Sequence, residues 1–238
     1  MSVPRAVVCL PTYNERENLE NMVRALAHQG VDVLVIDDNS PDGTGEIADR
    51  LASELPWVEV LHRPLKEGLG RAYVDGFRHV LAKGAELVLE MDCDFSHDPA
   101  DVPRLIAAVE EGADLALGSR YVAGGGTGNW GLVRRLISRS ASIYTRVLLM
   151  PIHDATGGFK CFRRRVLESI ELETIDAAGY VFQIETTYRT LQKGFHVVEI
   201  PIRFVDRTAG RSKMSRAIVL EAVWKVPWLR LTALVGRL

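Results

Sequence analysis

Five short apolar runs, at residues 6–10, 31–36, 58–61, 87–91 and 115–117, alternate with stretches of helical periodicity. The helical patterns cover 19–30 (on Leu19, Met22, Val23 and Leu26), 44–55, 70–82 and 101–111. The apolar runs are nearly continuous rather than alternating, so each strand must be covered on both faces. This pattern predicts an α/β fold: a Rossmann-like, mostly parallel central sheet with helices on both faces. In open sheets of that kind ligands bind beyond the carboxyl ends of the strands. The search for a site therefore narrows to 11–15, 37–42, 92–97 and the pair Ser119 and Arg120.

The second part of the chain reads differently. A glycine run at 124–128 reads as a flexible stretch, and a basic helical pattern follows at 132–149. A Gly157-Gly158 turn, a strand at 159–162, a helix at about 182–193 and a last strand at 197–204 complete it, with Pro201 pointing to a sheet edge. No internal repeat is present.

Several function classes drop out. The turn after the first strand, Pro11-Thr12-Tyr13-Asn14-Glu15, has no glycine, so a dinucleotide fingerprint is missing, and there is no Walker A loop. A formal net charge of −2 gives no reason to expect a nucleic-acid partner. The charge is unevenly spread: residues 203–238 hold eight Lys or Arg against two acids, a net of +6, which leaves −8 for the rest. A basic end on an acidic body points to an anionic partner there. Cys9, Cys93 and Cys161 form neither a disulfide framework nor a zinc pattern. The N-terminus carries no signal-peptide pattern, so a cytoplasmic location is expected. No uncharged run reaches the ~18 apolar residues of a membrane span.

What the strand ends hold is acid. Asp37, Asp38 and Asp42 follow the second strand, and Asp92, Asp94 and Asp98 follow the fourth. In an extended segment Asp92 and Asp94 share a side while Cys93 points away. Two hard carboxylates there suit Mg²⁺ or Mn²⁺, which leave coordination sites for substrate phosphates. Asp98, before Pro99, reads as a helix cap.

Six ordered stretches, PTYNERENL, VIDDNSPDGT, MDCDFSHDP, GSRYVAGG, TGGFKCF and RTAGRSKM, resemble the inverting family 2 glycosyltransferases with a GT-A fold. More narrowly they resemble the dolichol- or polyprenol-phosphate mannosyltransferases, over residues 5 to about 216. The resemblance implies transfer of mannose from GDP-mannose to a polyprenyl phosphate. A UDP-glucose-dependent version and a catalytically inactive nucleotide-sugar-binding subunit are the competing readings. By resemblance, Pro11, Tyr13 and Glu15, with Ile36 and Asp38, contact the nucleoside. Asp92, Cys93 and Asp94 reach ribose, diphosphate and metal. Ser96 stands where relatives carry a metal-binding glutamine. Arg120, Arg134, Arg207 and Lys213 match cations around donor and acceptor phosphates, and Asp94, Arg120 and Arg134 would carry catalysis.

The acceptor is already an anion at neutral pH, so no strong general base is needed. His97 reads equally as base or packing residue. The chain divides into a catalytic unit at 1–212 and an amphipathic segment at 213–238. In that segment Lys213, Ala217, Glu221 and Lys225 form a polar stripe before Pro227, and apolar residues with Trp224 and Trp228 cover the rest. A kinked amphipathic pair of helices is expected, lying peripherally on the cytoplasmic membrane surface or docking on a transmembrane partner subunit.

Overall fold

The computed structural model of the protein describes residues 5–175, 179–206 and 216–235. Its strands are β1 (Ala6–Thr12), β2 (Asp32–Asp37), β3 (Val58–His62), β4 (Leu87–Glu90), β5 (Leu115–Ser119), β6 (Gly126–Thr127), β7 (Lys160–Arg163), β8 (Val197–Pro201) and β9 (Arg203–Phe204). Its α-helices are α1 (Leu19–Leu26), α2 (Thr44–Glu54), α3 (Leu69–Ala82), α4 (Val102–Glu110), α5 (Leu132–Leu148), α6 (Arg164–Ser169), α7 (Gly179–Gln192) and α8 (Arg216–Leu234). Seven strands form one sheet in the order β3-β2-β1-β4-β7-β5-β8, and β6 pairs with β9 separately.

The continuous apolar runs are explained by two cores. Along β1, Ala6, Val8 and Leu10 face a cluster shared with α1, α2 and α4. Val7 and Cys9 face the opposite cluster, shared with α3, α6 and α7. β2 and β4 divide in the same way, with Val33, Val35, Leu87 and Leu89 on one side and Leu34, Ile36 and Val88 on the other. A period-2 side-chain arrangement with both faces dry leaves few polar positions in a strand. Helix α3 rests directly on β2: a Cβ at Gly76 would lie 2.3 Å from Ile36 Cδ1.

All pairings in the large sheet are parallel except those of β7, which is antiparallel to β4 and β5. Because β7 runs backward, it starts at the ligand end of the sheet, and that delivers residues 154–158 to the site. β8 is an edge strand, as Pro201 indicated. Two sequence expectations need correction. The glycine run is not merely flexible, since Gly126 and Thr127 pair with Arg203 and Phe204. Gly125 is pressed against the chain, with a Cβ there falling 2.5 Å from the Ser119 carbonyl oxygen. The C-terminal pair is instead one helix, α8, running through Pro227. Its Val226 and Leu229 are buried with Leu117, Met150, Ile184 and Tyr188 in a third cluster. All three cysteines are free and buried.

Candidate active site

The strand ends converge on a cavity of about 390 Å³. Pro11, Tyr13, Glu15 and Asp38 line one end, Asp92, Cys93 and Asp94 the middle, and Arg120 and Arg134 the other end.

At the β1–β2 end most polar groups are used to hold the walls. Asn18 Nδ2 donates to Glu15 Oε2 at 2.9 Å, and the Glu15 N–H donates to Thr44 Oγ1 at 3.0 Å. Asp37 accepts from the Ser40 hydroxyl at 2.6 Å and Asp42 from the Thr44 hydroxyl at 2.6 Å, so these two acids build turns and a cap. Asp38 remains for the cavity. Burial raises its pKa, and the ion pair with the buried Arg63 offsets part of that rise. Arg63 is fixed in turn by Asp75 at 2.8 Å and Glu67 at 3.0 Å. The Lys66 ammonium lies 3.8 Å from the centre of the Tyr13 ring and also lines the cavity. Ile36 is fully buried under α3, off the cavity wall, so the structure does not bring it to the nucleoside end.

The acidic centre is made by a turn rather than by the expected extended strand. β4 stops at Glu90, the chain turns through 93–97, and Phe95 sits at φ +59°, a costly conformation for an aromatic residue. The turn brings Asp92, Cys93 and Asp94 all onto the cavity wall. The Ser96 N–H donates to Asp94 Oδ1 at 3.0 Å, and the Ser96 carbonyl accepts from Val205. Ser96 therefore orients Asp94 from behind and does not line the cavity. His97 is buried, stacked on Phe159 with ring centres 5.0 Å apart and edge-on to Phe204 at 5.3 Å. Burial lowers its pKa to about 4, and its Nδ1 accepts from the Asp92 N–H at 3.3 Å. It is a neutral brace for the acidic turn. Asp98 caps the next turn through the Ala100 N–H at 2.9 Å, as expected.

Two hard carboxylates on one wall of a cavity with cations at its far end fit a divalent cation shared with substrate oxygens. Among the described residues no three His, Cys, Asp or Glu side chains form a metal cage of their own.

At the β5 end Arg120 is 8% exposed and held by Asp154, which is fully buried. The Arg120 N–H and Nε donate to Asp154 Oδ2 at 2.8 and 2.7 Å, and Nη2 donates to Oδ1 at 2.6 Å and to Thr156 at 2.8 Å. Burial works against the guanidinium charge, but Asp154 outweighs it and holds the pKa above the ordinary arginine value. Arg134, at the start of α5, lies 4.3 Å from the Trp130 ring centre and pairs with Asp206 at 2.8 Å. Arg207 and Lys213 lie outside the described residues. Beneath the floor, the fully buried Lys160 donates to the Gln183 carbonyl at 2.9 Å and side chain at 2.5 Å, and to Thr186 at 2.9 Å.

Reading the sequence missed Arg63, Lys66, Trp130, Asp154, Thr156 and Gln183. The nearest signal was the Thr156-Gly157-Gly158 turn, where small residues let the chain approach the cavity.

Comparison with known proteins agrees with this fold. The glycosyl transferase family 2 model matches residues 7–171. The chain is 50% identical over 226 residues to a polyprenol monophosphomannose synthase of Mycolicibacterium smegmatis, covering 93% of this chain and 85% of that one. It is 48% identical to an undecaprenyl-phosphate mannosyltransferase of Micrococcus luteus, covering 93% and 92%. Among solved structures, a mannosyltransferase from Pyrobaculum calidifontis in complex with GDP-Man and Mn²⁺ has the same fold, with a TM-score of 0.62 at 17% identity over 98% of this chain and 74% of that one.

Proposed function

Because the chain belongs to glycosyl transferase family 2, we propose that it transfers mannose from GDP-mannose to a polyprenyl phosphate with inversion at the anomeric carbon. The mannosyl and polyprenyl chemistry in the names of relatives near 50% identity supports the donor and acceptor classes. The observation that carries the lipid acceptor is the position of α5. Its first turn puts Arg134 at the cavity, and the helix exposes Leu132, Val133, Leu136, Ile137, Ile143 and Val147. A lipid phosphate leaving an apolar phase along that helix meets the cation first.

Pro11, Tyr13, Glu15 and Asp38 would take the nucleoside, and Asp92, Cys93 and Asp94 the ribose and diphosphate. A divalent cation, Mg²⁺ or Mn²⁺, bound by Asp94 with Asp92 alongside would neutralise the leaving diphosphate. Arg120 and Arg134 would bring the acceptor phosphate to the anomeric carbon opposite the leaving group, so that positioning and charge do the work. No residue has to remove a proton, which agrees with a buried, neutral His97.

Exposed apolar side chains continue on α8, which contacts α5, at Trp224, Trp228, Leu231 and Leu234, and just past its end at Val235. Lys225 and Arg230 lie among them, as Arg135, Arg139 and Arg146 do on α5. No described helix is long and apolar enough to cross a membrane. The reading therefore puts the enzyme peripherally on the cytoplasmic face, with the α5–α8 surface on lipid; a transmembrane partner subunit is the other occupant that this surface suits.

The test is incubation with a short-chain prenyl phosphate and radiolabelled GDP-mannose, UDP-glucose or UDP-galactose, with Mg²⁺ or Mn²⁺. Label in the organic phase from GDP-mannose alone is the expected result. Absence of lipid product from every donor would sink the transferase reading.

A further inference from the structure

The small sheet of β6 and β9 stands apart from the seven-stranded sheet, yet it builds part of the cavity wall. Thr127 pairs with Phe204, and the Gly128 N–H donates to the Phe204 carbonyl at 2.7 Å. Two residues further on, just before α5 begins, Trp130 lines the cavity. It stands edge-on to Phe204, with ring centres 5.3 Å apart and planes at 74°. Phe204 is edge-on in turn to His97, the brace of the acidic turn, at 5.3 Å.

Arginines gather on this aromatic corner. The Arg134 guanidinium carbon lies 4.3 Å from the Trp130 ring centre. That of Arg120 lies 5.5 Å from the same ring and 5.4 Å from the Phe204 ring. One indole is thus within cation–π reach of both guanidiniums, and tryptophan is the side chain whose face attracts a cation most strongly. Trp130 is 7% exposed, and its Nε1–H makes no hydrogen bond among the described residues. Its neighbours use the ring and not the N–H.

A carboxylate holds an arginine by cancelling its charge, as Asp154 does for Arg120. An aromatic ring holds the guanidinium and leaves its full charge for a ligand. Like charges brought to one wall also repel, and an attractive surface shared by both offsets part of that repulsion. We propose that Trp130 is a positioning residue for the acceptor: its ring seats Arg134 and, with Phe204, Arg120 for contact with a phosphate monoester. It acts through the arginines, and the β6–β9 pairing is what presents it. Further cations at that end of the cavity would add to these two without altering the seat. That the phosphate belongs to a prenyl chain rests on the function proposed above; the seating itself does not.

The experiment compares wild type with Trp130→Phe and Trp130→Leu, using a short-chain prenyl phosphate and GDP-mannose as substrates. KM for prenyl phosphate should rise from wild type through Trp130→Phe to Trp130→Leu. It should reach roughly three- to thirtyfold in the last, the scale of a partly desolvated cation–π contact. KM for GDP-mannose should not move; a role in packing alone would give no such order and would not spare the donor. Urea unfolding of Trp130→Leu, Arg134→Gln and the double variant supplies a second readout. The double variant should be destabilised roughly three- to tenfold less, in its unfolding constant, than the two single effects multiplied together. If Trp130→Leu fails to fold, the adaptable Trp130→Met takes its place in both measurements. An unchanged acceptor KM, equal losses in Trp130→Phe and Trp130→Leu, a matching rise for GDP-mannose, or strictly additive unfolding would overturn the proposal. Non-additive unfolding without lipid product from any donor would uphold the seating and sink the transferase reading. Lipid product with an unchanged acceptor KM would do the reverse.

Discussion

Asp154→Asn changes one oxygen to an amide in the middle of the acceptor end. The carboxylate accepts three Arg120 N–H groups, at 2.8, 2.7 and 2.6 Å, inside a fully buried site. Asparagine has one acceptor oxygen. Turned one way, it keeps the two bonds at Oδ2 and points an NH₂ at Nη2; turned the other way, it keeps only the third. Either way the buried guanidinium loses its counter-ion and at least one charged hydrogen bond of about 1.5–3 kcal/mol. Breaking a buried pair from one side costs about 3–5 kcal/mol in total, and that is the expected loss in urea unfolding. Arg120 should then leave its position, and kcat/KM for the prenyl phosphate should drop at least ~10²-fold, the scale for losing one preorganised charge. GDP-mannose binding, which the proposed function assigns to the other end of the cavity, should change little. A variant within about 1 kcal/mol of wild type that also turns over normally would refute the reasoning.

Three further outcomes are expected. Asp94→Asn should cut turnover at least ~10²-fold at saturating Mn²⁺ in the radiolabel assay, and wild-type rates there would remove Asp94 from the diphosphate site. Gly76→Ala should lower unfolding stability by roughly 1–3 kcal/mol despite a better helix propensity, because the added Cβ meets the buried Ile36 at 2.3 Å; a stabilised variant would count against the close α3–β2 contact. The pair Leu136→Asp and Trp224→Asp, at side chains 66% and 79% exposed, should weaken binding to anionic vesicles at least ~10-fold while leaving the fold intact. Equal vesicle binding would show that α5 and α8 are not the lipid-facing surface.

The strands were legible because both sheet faces are buried, which makes β1, β2 and β4 apolar along almost their whole length. The direction of β7 was not, because a run such as Lys160-Cys161-Phe162-Arg163 has no signal for which way it pairs. Asp38, Asp92 and Asp94 could be found from strand-end position alone. Their grouping was right for a partly wrong reason: a turn through Phe95, not strand alternation, presents the second carboxylate. Ile36 faces α3 because the same period-2 rule that buries Leu34 buries it too. Ser96 is spent on holding Asp94. Asp154 could not be found from the sequence, since its importance comes from pairing with an arginine 34 residues away. The helical periodicity of α5 and α8 was visible, whereas the burial of Val226 and Leu229 required the partners brought by α7.

The direct measurement is the anomeric configuration of the product. In the proposed arrangement the diphosphate sits at Asp92 and Asp94 and the acceptor phosphate at Arg120 and Arg134, so attack would come from the face opposite the leaving group. NMR of the mannosyl phosphate made from α-linked GDP-mannose and a short-chain prenyl phosphate should therefore give the β anomer. An α-linked product would contradict a single in-line displacement across this cavity.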